Sequence, residues 1–101
     1  MGELSIVAKR LKEARLRANL SQKQLGIQAG IDEFSASARI NQYERGKHMP
    51  DLPTLTLLGA VLALPVAYFY CEDSELALLV VRFAALGKAQ RKKVLGLIEG
   101  L

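Results

Sequence analysis

Between Ser21 and Gly46 the chain reads SQKQLGIQAGIDEFSASARINQYERG, and no other stretch constrains the fold as tightly. Ser21 precedes an apolar-periodic run and Gln24 follows three residues later. That is the spacing of a capping box, in which hydroxyl and carboxamide each accept from the other residue's backbone N–H. Leu20 before the cap and Leu25 after it are placed to pack as a hydrophobic staple. Leu25 and Ala29 share one face at i, i+4, and Gly30 stands where a helix ends in a left-handed residue. These signals predict a short capped helix of about nine residues.

A second start follows at once. After Ile31, the run Asp32-Glu33-Phe34-Ser35 offers acceptors, with Ser35 the expected N-cap. Ala36, Ile40 and Tyr43 recur at i, i+4, i+7 and form the inward face. Ser37, Ala38, Arg39, Asn41, Gln42 and Arg45 cover the rest of the circumference, and Gly46 closes the helix. Short hydroxyls, carboxamides and guanidinium groups on one outer face suit base edges in DNA: Asn and Gln match adenine, and Arg matches guanine, in bidentate fashion.

LSQKQL, then AGI, then INQYERGKHMP, resembles the lambda-repressor-like (Cro/repressor, XRE) family of helix-turn-helix DNA-binding domains. The span from about Leu4 to Tyr70 looks like the usual five-helix domain of that family. The resemblance implies an all-α fold and sequence-specific binding to double-stranded DNA. It implies base contacts from Ser37, Ala38, Arg39, Asn41 and Gln42. Phosphate contacts are expected from Gln22, Lys23, Arg45 and Lys47; for Gln22 the free N–H groups at a helix start supply an independent reason. The first helix would pack behind the reading pair, with Arg10 or Arg15 serving either the fold or a phosphate. Glu44 would be structural, ion-paired with one of those two arginines. In one respect the chain departs from the family: between Gly30 and Ile40 it is a few residues longer than the usual turn, by about one helical turn. The register of the base contacts depends on how those residues are accommodated.

Charge supports the same half of the chain. Net charge is +4, and residues 1–50 hold nine Lys/Arg against five Asp/Glu, whereas residues 51–101 hold five of each. A positive field over the first half favours phosphate contact and faster encounter with DNA. The 101 residues, half of them hydrophobic, suffice for one core without disulfide or metal. One cysteine, Cys71, excludes an internal disulfide framework and fits a reducing, cytoplasmic setting, with nucleoid association when bound to DNA. Met1 to Leu20 reads as a charged amphipathic stretch and not as a signal peptide.

Around this centre the remaining helices follow from periodicity. Leu4, Val7, Leu11, Ala14 and Ala18 give an amphipathic helix over residues 4–18, ended by Asn19 as a left-handed residue. Leu52 to Cys71 carries no charge over about a bilayer's span. Pro53, Gly59 and Pro65 speak against a membrane span, and two buried helices are expected: one over 52–63, capped by Asp51 with Pro53 in its first turn, and one from Pro65 to Tyr70. Tyr68, Phe69 and Tyr70 are then core and interface residues. Residues 76–86, LALLVVRFAAL, are apolar nearly all round and call for burial on more than one side. The last helix sets Ala89, Val94, Leu97, Ile98 and Leu101 against Lys88, Arg91, Lys92 and Lys93, a solvated face. A second copy of the chain would cover the apolar tail, through Leu76, Leu79, Val80, Phe83, Val94, Leu97, Ile98 and Leu101.

No catalytic arrangement is present in the sequence. There is no phosphate-cradling glycine loop, and the single histidine, His48, cannot build a metal site with Cys71 alone. No enzyme activity, cofactor, metal or membrane partner is expected. The expectation is a DNA-binding domain over residues 1–71 and a helical dimerisation extension over 72–101, acting as a repressor. Two other readings stay open: an antitoxin whose apolar tail also binds a toxin partner, and a protein-interaction module that has lost DNA binding.

Overall fold

A computed structural model describes residues 5–101; Leu4, expected to open the apolar face of the first helix, lies outside the described residues. The order is α1 (Ile6–Arg17), α2 (Gln22–Gln28), α3 (Ala36–Glu44), α4 (Leu52–Leu62), a 3-10 helix (Val66–Tyr70), α5 (Ser74–Ala84) and α6 (Lys88–Glu99). No strand occurs among the described residues, so the fold is all-α.

Local chemistry explains most of the boundaries. The Ser5 hydroxyl accepts from the Ala8 N–H at 3.2 Å and starts α1; Asn19 ends the turn after it at φ 59°. Both halves of the Ser21–Gln24 capping box form, at 3.0 and 2.8 Å. Helix α2 is seven residues, shorter than the spacing predicts, because Gly30 (φ 94°) closes it: the Ile31 N–H returns to the Gly26 carbonyl at 2.9 Å. Ser35 holds the N-cap position of α3 but its side chain makes no cap hydrogen bond. The acceptors of that start work differently from the expectation: the Asp32 carboxylate takes the Phe34 N–H and its carbonyl takes the Ser35 N–H, each at 3.0 Å.

The long uncharged run divides before Pro65, as expected. The Asp51 carboxylate caps α4 through the Thr54 N–H at 2.9 Å, and Pro53 lies in the first turn. Ala63 turns the chain at φ 58°, so that the Leu64 N–H reaches the Gly59 carbonyl at 2.9 Å. The fifth helix of the domain is a 3-10 turn after Pro65, not an α-helix. No helix among the described residues is long and apolar enough to cross a membrane.

Leu11, Leu25, Ile40, Leu55, Leu58 and Phe69 are fully buried and draw α1, α2, α3, α4 and the 3-10 helix onto one core. Helices α2 and α3 touch backbone to backbone: a Cβ on Gly26 would stand 2.7 Å from that of Ala36. The tail is different. Helix α5 starts earlier than its apolar run because Asp73 caps it, accepting from Glu75 and Leu76 N–H groups at 2.8 and 3.0 Å. Only Ala77 of α5 is buried, and α6 buries no residue.

Candidate nucleic-acid interface

One buried ion pair ties the second helix of the central stretch, α3, to α1. Arg15 on α1 donates through Nε and Nη2 to the two oxygens of Glu44, at 2.6 and 3.0 Å, while its Nη1 holds the Leu20 carbonyl at 2.9 Å. Glu44 is 4% exposed and Arg15 8%. A bidentate fork of this kind fixes geometry as well as charge, since two parallel N–H···O bonds allow one orientation. The pair anchors the last turn of α3 to α1 and to the entry of α2. Of the two arginines left open by the sequence, Arg15 is therefore the partner of Glu44.

Arg10 serves another seam. Its Nε and Nη2 donate to the Cys71 and Glu72 carbonyls at 2.9 and 3.1 Å, Nη1 reaches Glu13 at 3.3 Å, and the guanidinium lies 5.7 Å from the Tyr68 ring centroid. Both arginines are spent on the fold and neither faces solvent as a phosphate contact would.

The outer face of α3 begins with Ser37, Ala38 and Arg39, all exposed, and continues with Asn41 and Gln42, both half-buried. Arg39 also braces the helix, its Nη2 donating to the Tyr43 hydroxyl at 3.0 Å. At the start of α2, Gln22 turns its amide nitrogen inward to Asn41 Oδ1 at 3.2 Å and Glu44 Oε1 at 3.1 Å. The expected phosphate residue and an expected base residue thus meet across the helix pair. The contact uses both donors of the Gln22 amide and occupies the Asn41 oxygen, so that the Asn41 NH2 can serve a further acceptor. Nothing in the spacing of the sequence reveals this pairing, because it spans nineteen residues and depends on the angle between the two helices.

After α3 the backbone folds back on itself. Gly46 takes φ 73°, and the Lys47 N–H returns to the Gln42 carbonyl at 2.9 Å. Arg45, Lys47 and His48 are exposed on this pinned loop, and Lys23 is exposed on α2. Arg39, Gln42, His48, Met49, Asp51 and Thr54 border an open groove of about 350 Å3 beside α3. The Asp51 carboxyl there is held below the ordinary carboxylate range by hydrogen bonding to Thr54, side chain first and then backbone, with a smaller contribution from the Arg39 charge. Two exposed apolar side chains flank the polar face and escaped the sequence expectations: Met49 at 60% and Phe34 at 90% exposure. Both lie off the periodic faces, which is the only signal the sequence offers for them.

Among the described residues no group of three His, Cys, Asp or Glu side chains could hold a metal ion. Cys71 is buried, with its thiol 3.4 Å from the Ala67 carbonyl. What the arrangement offers chemically is a rigid helix with hydrogen-bonding groups outward, bordered by cations on two sides.

Comparison with known proteins places these features in context. Residues 11–69 match the family model HTH_3, described as helix-turn-helix. The solved structure described as the crystal structure of transcriptional regulator BswR is similar to this chain over 93% of each, with 50% sequence identity and a TM-score of 0.85. No curated protein matches the chain.

Proposed function

The chain belongs to the helix-turn-helix family of the lambda-repressor-like (XRE) kind and is a DNA-binding transcriptional regulator; from that premise we propose that it is a repressor, acting as a homodimer on an inverted-repeat operator. Each subunit lays α3 in a major groove, where helix-turn-helix domains put the N-terminal residues of the second helix against base edges. Ser37, Ala38, Arg39, Asn41 and Gln42 read bases. Lys23, Arg45 and Lys47 hold phosphates; Gln22 joins them through its backbone N–H or after releasing Asn41.

The observation that carries the reading is the rigid placement of that polar face. The Arg15–Glu44 fork fixes α3 from behind, and the Gly46 turn fixes the cationic loop beside it. Base discrimination needs side chains whose backbone does not yield, since each good bidentate pair is worth about 1–3 kcal/mol only at the right geometry.

Dimerisation rests on the tail, which we read as an extension over 72–101 beside a DNA-binding domain over 1–71. Leu76, Leu79, Leu97, Ile98 and Leu101 are 46–96% exposed, while Val80, Phe83 and Val94 are half-buried. Leu78 and Leu95 add 58% and 49% exposure to the same two helices. Apolar surface of this extent on a lone subunit marks an interaction site. A two-fold partner would bury it and set two α3 helices at half-sites about 10 base pairs apart, or a multiple.

Footprinting on the promoters that the protein binds tests the reading. Two protected half-sites with that spacing, and higher transcript from those promoters when the protein is removed, are expected. A single protected half-site would contradict the dimer, and a fall in transcript would make the protein an activator. A monomer that co-purifies with a second small protein would favour the antitoxin reading, since the same exposed tail would then serve a toxin.

A further inference from the structure

Phe34 is 90% exposed, the most open large apolar side chain among the described residues apart from Leu101 at the chain end. Its exposure does not come from a loose loop. The Phe34 N–H is bound by the Asp32 carboxylate, the Ser35 N–H by the Asp32 carbonyl, and the Arg39 N–H by the Ser35 carbonyl, all at 2.9–3.0 Å. Ser35 already has helical dihedrals, φ −107° and ψ −13°, so the turn runs straight into α3. The ring is therefore presented on a fixed backbone, one residue ahead of the N-cap and at the end of α3 that carries Ser37 and Ala38.

The chemistry around it narrows what the ring can meet. Asp32 and Glu33, exposed beside it, repel phosphate, so this tip does not rest on the DNA backbone. The floor of the major groove is different. It presents the C5-methyl group of thymine, which apolar side chains contact, and the N4 amino group of cytosine, which carboxylates accept from.

We propose that Phe34 is a specificity-determining residue that packs on a thymine methyl group in each half-site. The proposal rests on the reading of α3 as the helix that enters the groove. It also gives a role to the residues between α2 and α3, which extend the reading surface beyond the helix itself.

Sites selected from random duplexes by the unaltered protein and by Phe34→Ala, followed by replacement of each selected thymine with deoxyuridine, test it. Removing one methyl should weaken binding of the unaltered protein roughly three- to fivefold at one position per half-site. Phe34→Ala should lose the preference for thymine at that position and become indifferent to the replacement, whereas Phe34→Leu should keep part of both. The melting temperature of both variants should match the parent, because the side chain is 90% exposed. An unchanged motif and an unchanged deoxyuridine profile for Phe34→Ala would overturn the proposal while leaving the DNA-binding reading intact. So would a change in oligomeric state with the motif preserved, which would make the ring a protein contact. Failure of the unaltered protein to enrich any sequence would remove the DNA-binding reading and this inference with it.

Discussion

At Glu44 a carboxylate sits 4% exposed between a guanidinium and a carboxamide. Glu44→Gln keeps the shape and removes the charge, leaving the Arg15 guanidinium buried without a counter-ion. Breaking such a pair costs about 3–5 kcal/mol. The thermal unfolding midpoint, followed by circular dichroism, should fall by at least about 10 °C; an unchanged midpoint would contradict a structural role. On the outer face the effects separate by mechanism. Gln42→Ala should cost about 1–3 kcal/mol of DNA binding and relax preference at one base position. Lys47→Ala should weaken all sequences alike and lower the slope of affinity against salt, read from titrations at several salt concentrations. Much at this scale was legible in the sequence: the capping box, the left-handed Asn19 and the inward Ala36, Ile40 and Tyr43 are all local patterns. The partner of Glu44 was not, since Arg10 and Arg15 both lie on α1. What decides between them is a contact sixty-one residues away, where the Cys71 carbonyl claims Arg10.

Helix ends carry the next level, and α4 shows it best. Its exit brings two residues of opposite demand close together. Ala63 holds φ 58°, a left-handed conformation that a side chain disfavours by about 1–2 kcal/mol and glycine does not. After glycine's own entropic cost, Ala63→Gly should stabilise the protein by about 0.5–1 kcal/mol. Gly59 has no such freedom to give up: a Cβ there would stand 2.7 Å from the Leu64 carbonyl oxygen and 3.4 Å from the Phe69 ring. Gly59→Ala should destabilise by about 1–3 kcal/mol, as overpacking does. Urea unfolding of both variants checks the pair, and equal effects would contradict this closure of the helix. At the other end of α4, the lowered pKa of Asp51 means that its cap is in force above the unfolded carboxyl value and is lost as pH falls through the lower folded one. An NMR titration of the Thr54 amide should report that low midpoint. Element order was readable because caps, prolines and glycines are local signals. The 3-10 geometry of Val66–Tyr70 was not, because five residues after a proline satisfy either helix and tertiary packing of Phe69 chooses.

Over the whole molecule the contrast is between a finished core and an unfinished tail. The radius of gyration is 15.1 Å, against about 13 Å for a compact chain of this length. Arg91 of α6 reaches back to α5, its guanidinium lying 5.0 Å from the Phe83 ring and donating to the Ala84 carbonyl at 3.0 Å. The sequence asked for burial of residues 76–86 on more than one side, and within one subunit only Ala77 is buried. Leu97→Glu with Ile98→Glu should therefore shift sedimentation equilibrium from dimer to monomer while the core keeps its helical signal. A dimer unaffected by both charges would place the interface elsewhere. Partner, operator and sign of regulation stay outside what periodicity encodes, since they depend on surfaces that no single chain completes. The central claim is that α3 reads DNA sequence from a rigid face, and selection of sites from a random duplex pool at near-physiological salt tests it most directly. We expect one inverted repeat to be enriched, with its half-sites about 10 base pairs apart or a multiple. A folded dimer that enriches no sequence would contradict the account and leave the protein as a partner-binding module.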